Sequence, residues 1–174
     1  LNNQNSENNR ASGSPSERLL KMVEIAKAEA RRNDNVETNG NNDSSRIRVY
    51  KHGARNSHQW CSYFTTWCAE EGLGSKMPFK WTGSSQAVRK AAERAGKFSK
   101  KGTYTPRVGD IAIWTKQSDP AHGHIGIITK VTSSGVEITE GNSGNRVKTN
   151  TYSFAKLQRD GFFNGYVRMN DWVA

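Results

Sequence analysis

Two cysteines and four histidines carry the richest chemistry in this sequence, and their spacing sorts them. Cys61 and Cys68 lie seven positions apart in the stretch HQWCSYFTTWC. On a helix that spacing separates them by about 10 Å along the axis, beyond disulfide reach, so free thiols are expected. A cysteine in the first turn of a helix has its sulfur near unpaired backbone N–H groups and the positive end of the helix dipole, which favours the thiolate. Cys61 holds that position. Cys68, two turns further along the same face and beside Trp67, reads as packing.

A thiolate nucleophile needs an imidazole to take and return its proton, and a third group to hold that imidazole in one tautomer. His52 and His58 precede the cysteine helix, and His122 sits in a turn. His124 opens the strongest strand pattern, HIGIITKVT, where a side chain is held rigidly. Strand alternation puts Val136, Ile138 and Glu140 on one face of the next strand, so a contact between His124 and Glu140 is expected. Their register is open. A three-residue turn Ser133-Ser134-Gly135, with Gly135 left-handed, leaves the pair four residues out of opposition. A turn centred on Thr132 pairs them directly, and a bulge is a third route. Zinc is the rival chemistry: His58 and Cys61 are spaced i, i+3, and His122-x-His124 could add ligands, but no second close Cys or His pair completes a set.

The elements that must position these groups come in two blocks. Residues 1–13 are polar, Asn-rich and aperiodic, and are expected to be a disordered tail or linker, leaving 14–174 as one domain. Ser14, Pro15 and Glu17 read as cap, first helical residue and capping-box acid of an amphipathic helix ending near Arg32. The turn formers of 33–45 predict a long exposed loop of the kind that borders binding sites. A second helix begins near Cys61 and stops at Gly72. A third follows Ser84 or Ser85 and stops at Gly96. After Gly102 the period changes to that of strands, at 111–114, 124–132, 136–140, 146–151 and 162–169. Helices first and strands after predict an α+β fold, with helices on one face of a mostly antiparallel, partly curled sheet.

Composition bounds the rest. The 174 residues suit one domain, and although only 33% are hydrophobic, five Trp, five Tyr and six Phe supply buriable surface. No apolar run approaches the ~20 residues that cross a bilayer, and the Asn-rich start at Leu1 reads as no export signal. The net charge of +10 favours polyanionic partners. Most of it sits between Gly72 and Val108, where nine lysines and arginines face one acid, Glu93.

In their order and spacing, WCSYFTTWC, VGDIAIW, HIGIIT and ITEGN resemble the CHAP family, the cysteine- and histidine-dependent amidohydrolases and peptidases of the papain-like superfamily. The resemblance runs from about Ser16 to Met169 and departs at Val108, where the family usually has proline. It implies Cys61 as nucleophile, His124 as general base and acid, Glu140 as the group orienting it, and Asn142 as support. Trp60 and Gln59 are candidate substrate-binding residues. The backbone N–H of Cys61 would form part of the oxyanion hole, with Gln59, His58 and Arg55 open as second donor. The implied substrate is bacterial peptidoglycan, cut either between sugar and stem peptide or within the peptide, with no cofactor or metal. A secreted, periplasmic, cell-wall or virion location follows from that substrate. A monomer is expected, with an immunity or inhibitor protein as a further partner class and no nucleic acid. A basic, non-catalytic module binding cell wall or nucleic acid is the competing expectation.

Overall fold

The computed structural model describes residues 15–116, 118–119 and 123–173, so the expected tail, Ser14 and His122 lie outside the described residues. Helix α1 spans Glu17–Ala30 and is capped by Ser16, whose hydroxyl accepts from Leu19 N at 3.3 Å. The cap therefore falls two residues later than Ser14. Leu19, Met22, Val23 and Ala26 recur at helical spacing and are buried. A six-residue helix, α2 (Ser45–Tyr50), closes the long loop. It is too short to show a period in sequence, but Ser44 caps Ile47 N at 3.1 Å, and Ile47 and Tyr50 are fully buried.

Helix α3 (Cys61–Leu73) is buried on most sides, which offsets the weak propensity of its threonines and aromatics. Its end differs from the expected one. Gly74, at φ +55, terminates the helix, whereas Gly72 is a crossing point: a Cβ there would lie 2.6 Å from the Met22 backbone. The absent side chain lets α1 and α3 approach closely. A single 3₁₀ turn, Gly74–Lys76, then leads towards α4 (Ser85–Arg94), capped by Ser84.

The strands are β1 (Phe98–Lys100), β2 (Ile111–Thr115), β3 (Gly123–Val131), β4 (Gly135–Ser143), β5 (Arg146–Ser153) and β6 (Phe163–Val167). They form one antiparallel sheet in the order β1-β6-β2-β3-β4-β5. Short helices α5 (Phe154–Arg159) and α6 (Met169–Trp172) flank β6. Ile111, Ile113, Ile125, Ile127 and Val147 meet the N-terminal helices, while Ala112, Trp114, Ile128, Ile138 and Phe163 form a second core with Leu157 of α5. Burial on both faces explains why β2 reads as a continuous apolar run.

The β3–β4 register matches neither expected turn. Val131 pairs with Val136 across a four-residue link, and an extra residue at Thr129 separates the Ile128–Ile138 and Lys130–Glu137 pairs. The even link and the one-residue bulge together place the apolar faces of β3 and β4 on the same side. Gly135, expected in a left-handed turn, instead opens β4, where a Cβ would stand 2.2 Å from Tyr152 O.

Candidate active site

Cys61 is the first residue of α3, and Phe64 N donating to Trp60 O at 3.0 Å closes the first helical turn. The amides that open a helix have no intrahelical acceptor, so Cys61 stands at the donor-rich, positive end of the helix dipole. Cys61 is 6% exposed and faces a cleft of about 630 Å³. Cys68 is fully buried, burial pushes its thiol well above the ordinary cysteine value, and both thiols are free.

His124, at the start of β3, meets the acid on β4. Pairing of Ile127 with Thr139 sets Gly126 beside Glu140, and a Cβ at Gly126 would lie 2.8 Å from Glu140 Cγ. The bare glycine lets the Glu140 side chain cross the strand, and its Oε1 reaches His124 Nε2 at 2.5 Å. The expected contact is thus made through a diagonal. Glu140 is 1% exposed, and its Oε2 accepts from Asn150 Nδ2 and Tyr152 OH, both at 2.8 Å. Burial and the Glu140 charge push the Tyr152 phenol well above its ordinary range, keeping it a donor.

Burial alone would lower the His124 pKa. Hydrogen bonds to the Cys61 thiol and the Glu140 carboxylate, with the charges of both, outweigh it and push it up to about 10. With Nε2 on Glu140, Nδ1 is the nitrogen left to face the sulfur. The arrangement sets the imidazole between the Cys61 sulfur and the Glu140 carboxyl group.

The remaining expected residues separate. Gln59 is exposed and lines the cleft with His58, whereas Arg55 is not part of that lining. Trp60, expected on the substrate surface, is corrected: it is fully buried, its indole Nε1 donates to Glu37 Oε1 at 2.9 Å, and its ring stacks on Tyr50. Alternation around the helix start turns Trp60 inwards as Cys61 turns to the cleft. Asn142, at φ +54, bonds Asn42 Oδ1 through Nδ2 at 3.4 Å and so ties β4 to the cleft wall. Among the described residues no three metal-binding side chains cluster, and His122 of the zinc alternative lies outside them.

Three contributors went unnoticed in sequence. Asn150 and Tyr152 alternate along β5 on the face of Glu140, a signal that required the strand order to interpret. Lys51 had no sequence signal. Its side chain is 1% exposed, and Nζ donates to Asn42 O at 2.7 Å, Asn56 O and Oδ1 at 3.0 Å, and His58 O at 2.9 Å. Burial pushes the ammonium below the ordinary lysine value, yet four oxygens hold it charged. One cation therefore gathers the long loop and the segment before Cys61 into a single cleft wall. Lys51→Met is expected to lower stability by about 3 kcal/mol, because the gathered oxygens lose a charged donor. A urea titration measures this, and an unchanged midpoint would show that the wall is held by other contacts.

This order of helices and sheet, with a thiol at a helix start facing a strand histidine and its acid, defines a papain-like α+β domain of the cysteine–histidine type. The chain belongs to the CHAP domain family, whose sequence model matches residues 53–142. Among solved structures, that of Ly7917 superposes with a TM-score of 0.51 at 17% identity, covering 85% of this chain and 60% of that one. Ly7917 with the hydrolysing product of MDP superposes at 0.50 and 16% identity, covering 85% and 61%. The chain thus spans about three fifths of the length of those structures. Among curated proteins none matches it.

Proposed function

We propose that this domain hydrolyses amide bonds in bacterial peptidoglycan through a thioester on Cys61, acting in a wall, periplasmic, secreted or virion setting. The carrying observation is the unbroken chain from Cys61 through His124 to the buried Glu140 at the edge of an open cleft. Family membership and a shared fold with a protein solved with the hydrolysing product of MDP support the substrate class.

In the proposed reaction the Cys61 thiolate attacks the amide carbonyl carbon and the oxygen becomes an oxyanion near the Cys61 amide. Gln59 and His58 are the cleft-lining candidates for the second donor. As the C–N bond breaks, His124 gives its proton to the departing amine, leaving a thioester. Water then gives a proton to His124 and attacks the acyl carbon, releasing the carboxylic acid and restoring the thiolate–imidazolium pair. Glu140 keeps the ring oriented throughout.

Digestion of purified peptidoglycan followed by mass spectrometry tests the proposal and assigns the bond. Stem peptides freed from sugar, with a new N-terminus on alanine, would identify an amidase. Shortened peptides still joined to sugar would identify an endopeptidase. Intact peptidoglycan after prolonged incubation would overturn the function.

A further inference from the structure

A second concavity, of about 550 Å³, lies between the C-terminal turn of α1 and the edge strand β5. Its walls carry Lys27, Arg31, Lys130, Arg146 and Lys148 against a single carboxylate, Glu137. Lys130 approaches Glu137 at 3.8 Å, and Lys27 approaches Glu24 at 3.4 Å. Such exposed pairs are weak and leave the ammonium groups available. Among the described residues Arg31, Arg146 and Lys148 form no ion pair with a carboxylate. Thr129 and Thr149 line the concavity beside Ala30 and Val147, and their hydroxyls meet on the buried Thr139, with Thr149 Oγ1 2.8 Å from Thr139 Oγ1 and Thr139 Oγ1 3.1 Å from Thr129 Oγ1. All five cations lie outside the basic 72–108 stretch.

We propose that this groove binds a linear, non-aromatic polymer of repeating phosphates, of the poly(polyol phosphate) kind, attached to the cell wall. The wall setting rests on the peptidoglycan function proposed above; the phosphate chemistry rests on the groove. Guanidinium groups take phosphate oxygens in pairs, and several cations along one groove match charges repeated along a chain. A single-stranded nucleic acid is disfavoured because its binding grooves combine cations with aromatic rings that stack bases, and the described lining holds no aromatic side chain. Ser143 and Gly144 line the groove, and the adjacent Asn142 bonds Asn42, which lines the cleft beside Cys61. A polymer seated there would hold the domain on the wall with its cleft beside the mesh.

The test measures binding of the whole chain to purified poly(glycerol phosphate) at about 50 and 200 mM salt. Binding should weaken with salt, and Arg31→Gln/Arg146→Gln/Lys148→Gln should weaken it about tenfold or more with a shallower salt dependence. Lys97→Gln/Lys100→Gln/Lys101→Gln, which removes the same charge elsewhere, should bind like the unaltered chain. The groove variant should digest polymer-free peptidoglycan normally. If the unaltered chain fails to digest it but the groove still binds polymer, the catalytic proposal fails and the phosphate site stands. Equal losses in both triple variants would reduce the effect to net charge and overturn the site. So would unchanged binding by the groove variant. Tighter, groove-dependent binding of single-stranded DNA would overturn the polymer assignment in favour of nucleic acid.

Discussion

Cys61→Ala is expected to lower turnover of purified peptidoglycan by about 10³-fold or more, since removing a nucleophile leaves only what binding and the remaining donors provide. The fold should persist: the side chain loses one sulfur atom at a cleft edge, and the circular dichroism spectrum and melting profile should stay close to those of the unaltered protein. Cys68→Ala should show the opposite pattern. Its sulfur is fully enclosed, so its removal leaves a small cavity and lowers stability by about 1–2 kcal/mol with turnover retained. Measuring both variants in the same wall-lysis and unfolding assays separates chemistry from packing. Full lysis by Cys61→Ala would sink the assignment of the nucleophile.

Glu140→Gln is expected to lower kcat/KM by about 10³-fold, although the two side chains have nearly the same shape. Asn150 and Tyr152 both donate to Glu140 Oε2, so they select the amide oxygen of a glutamine at that position. The amide NH₂ must then face His124 Nε2, where it repels a protonated ring nitrogen and selects the neutral ring with its proton on Nδ1. That tautomer cannot take a proton from the thiol. The pH profile carries a second signature. His124 has its folded-state pKa raised from 6.5 to about 10. Its protonated form therefore stabilises the fold fully below pH 6.5, and that contribution is lost as pH rises through about 10. The alkaline limb of kcat/KM should lie near the same upper value in the unaltered enzyme and move down towards 6.5 in Glu140→Gln. An unmoved limb in the variant would show that Glu140 does not set the charge of the histidine.

The legible parts of the fold were those with strong local patterns. Leu19, Val23 and Ala26 declare α1 by their spacing, and the alternation at 136–140 declares β4. Helix α2 and strand β1 went unseen because six and three residues carry too little period. The helix α3 terminus was misplaced for a different reason. A glycine can end a helix or admit a neighbouring one, and only the position of Met22 shows that Gly72 does the latter while Gly74 does the former.

At the site, the sequence by itself determined the order of the reactive groups and the local field of each: a thiol at a helix start, a histidine opening a strand, an acid ending an apolar face. Dipoles and alternation are properties of neighbours along the chain, so they can be read there. Whether those groups meet depended on contacts between distant segments. The Thr129 bulge and the bare Gly126 decide that Glu140 reaches His124 across the sheet. Asn150, Tyr152 and the enclosed Lys51 ammonium then hold the acid and the cleft wall in place. Trp60 shows the same division, since an aromatic beside a nucleophile can face substrate or core, and its bond to Glu37 decides for the core. Register, burial and hydrogen-bond partners at long separation exist only once the chain has closed on itself, and tertiary structure alone could settle them.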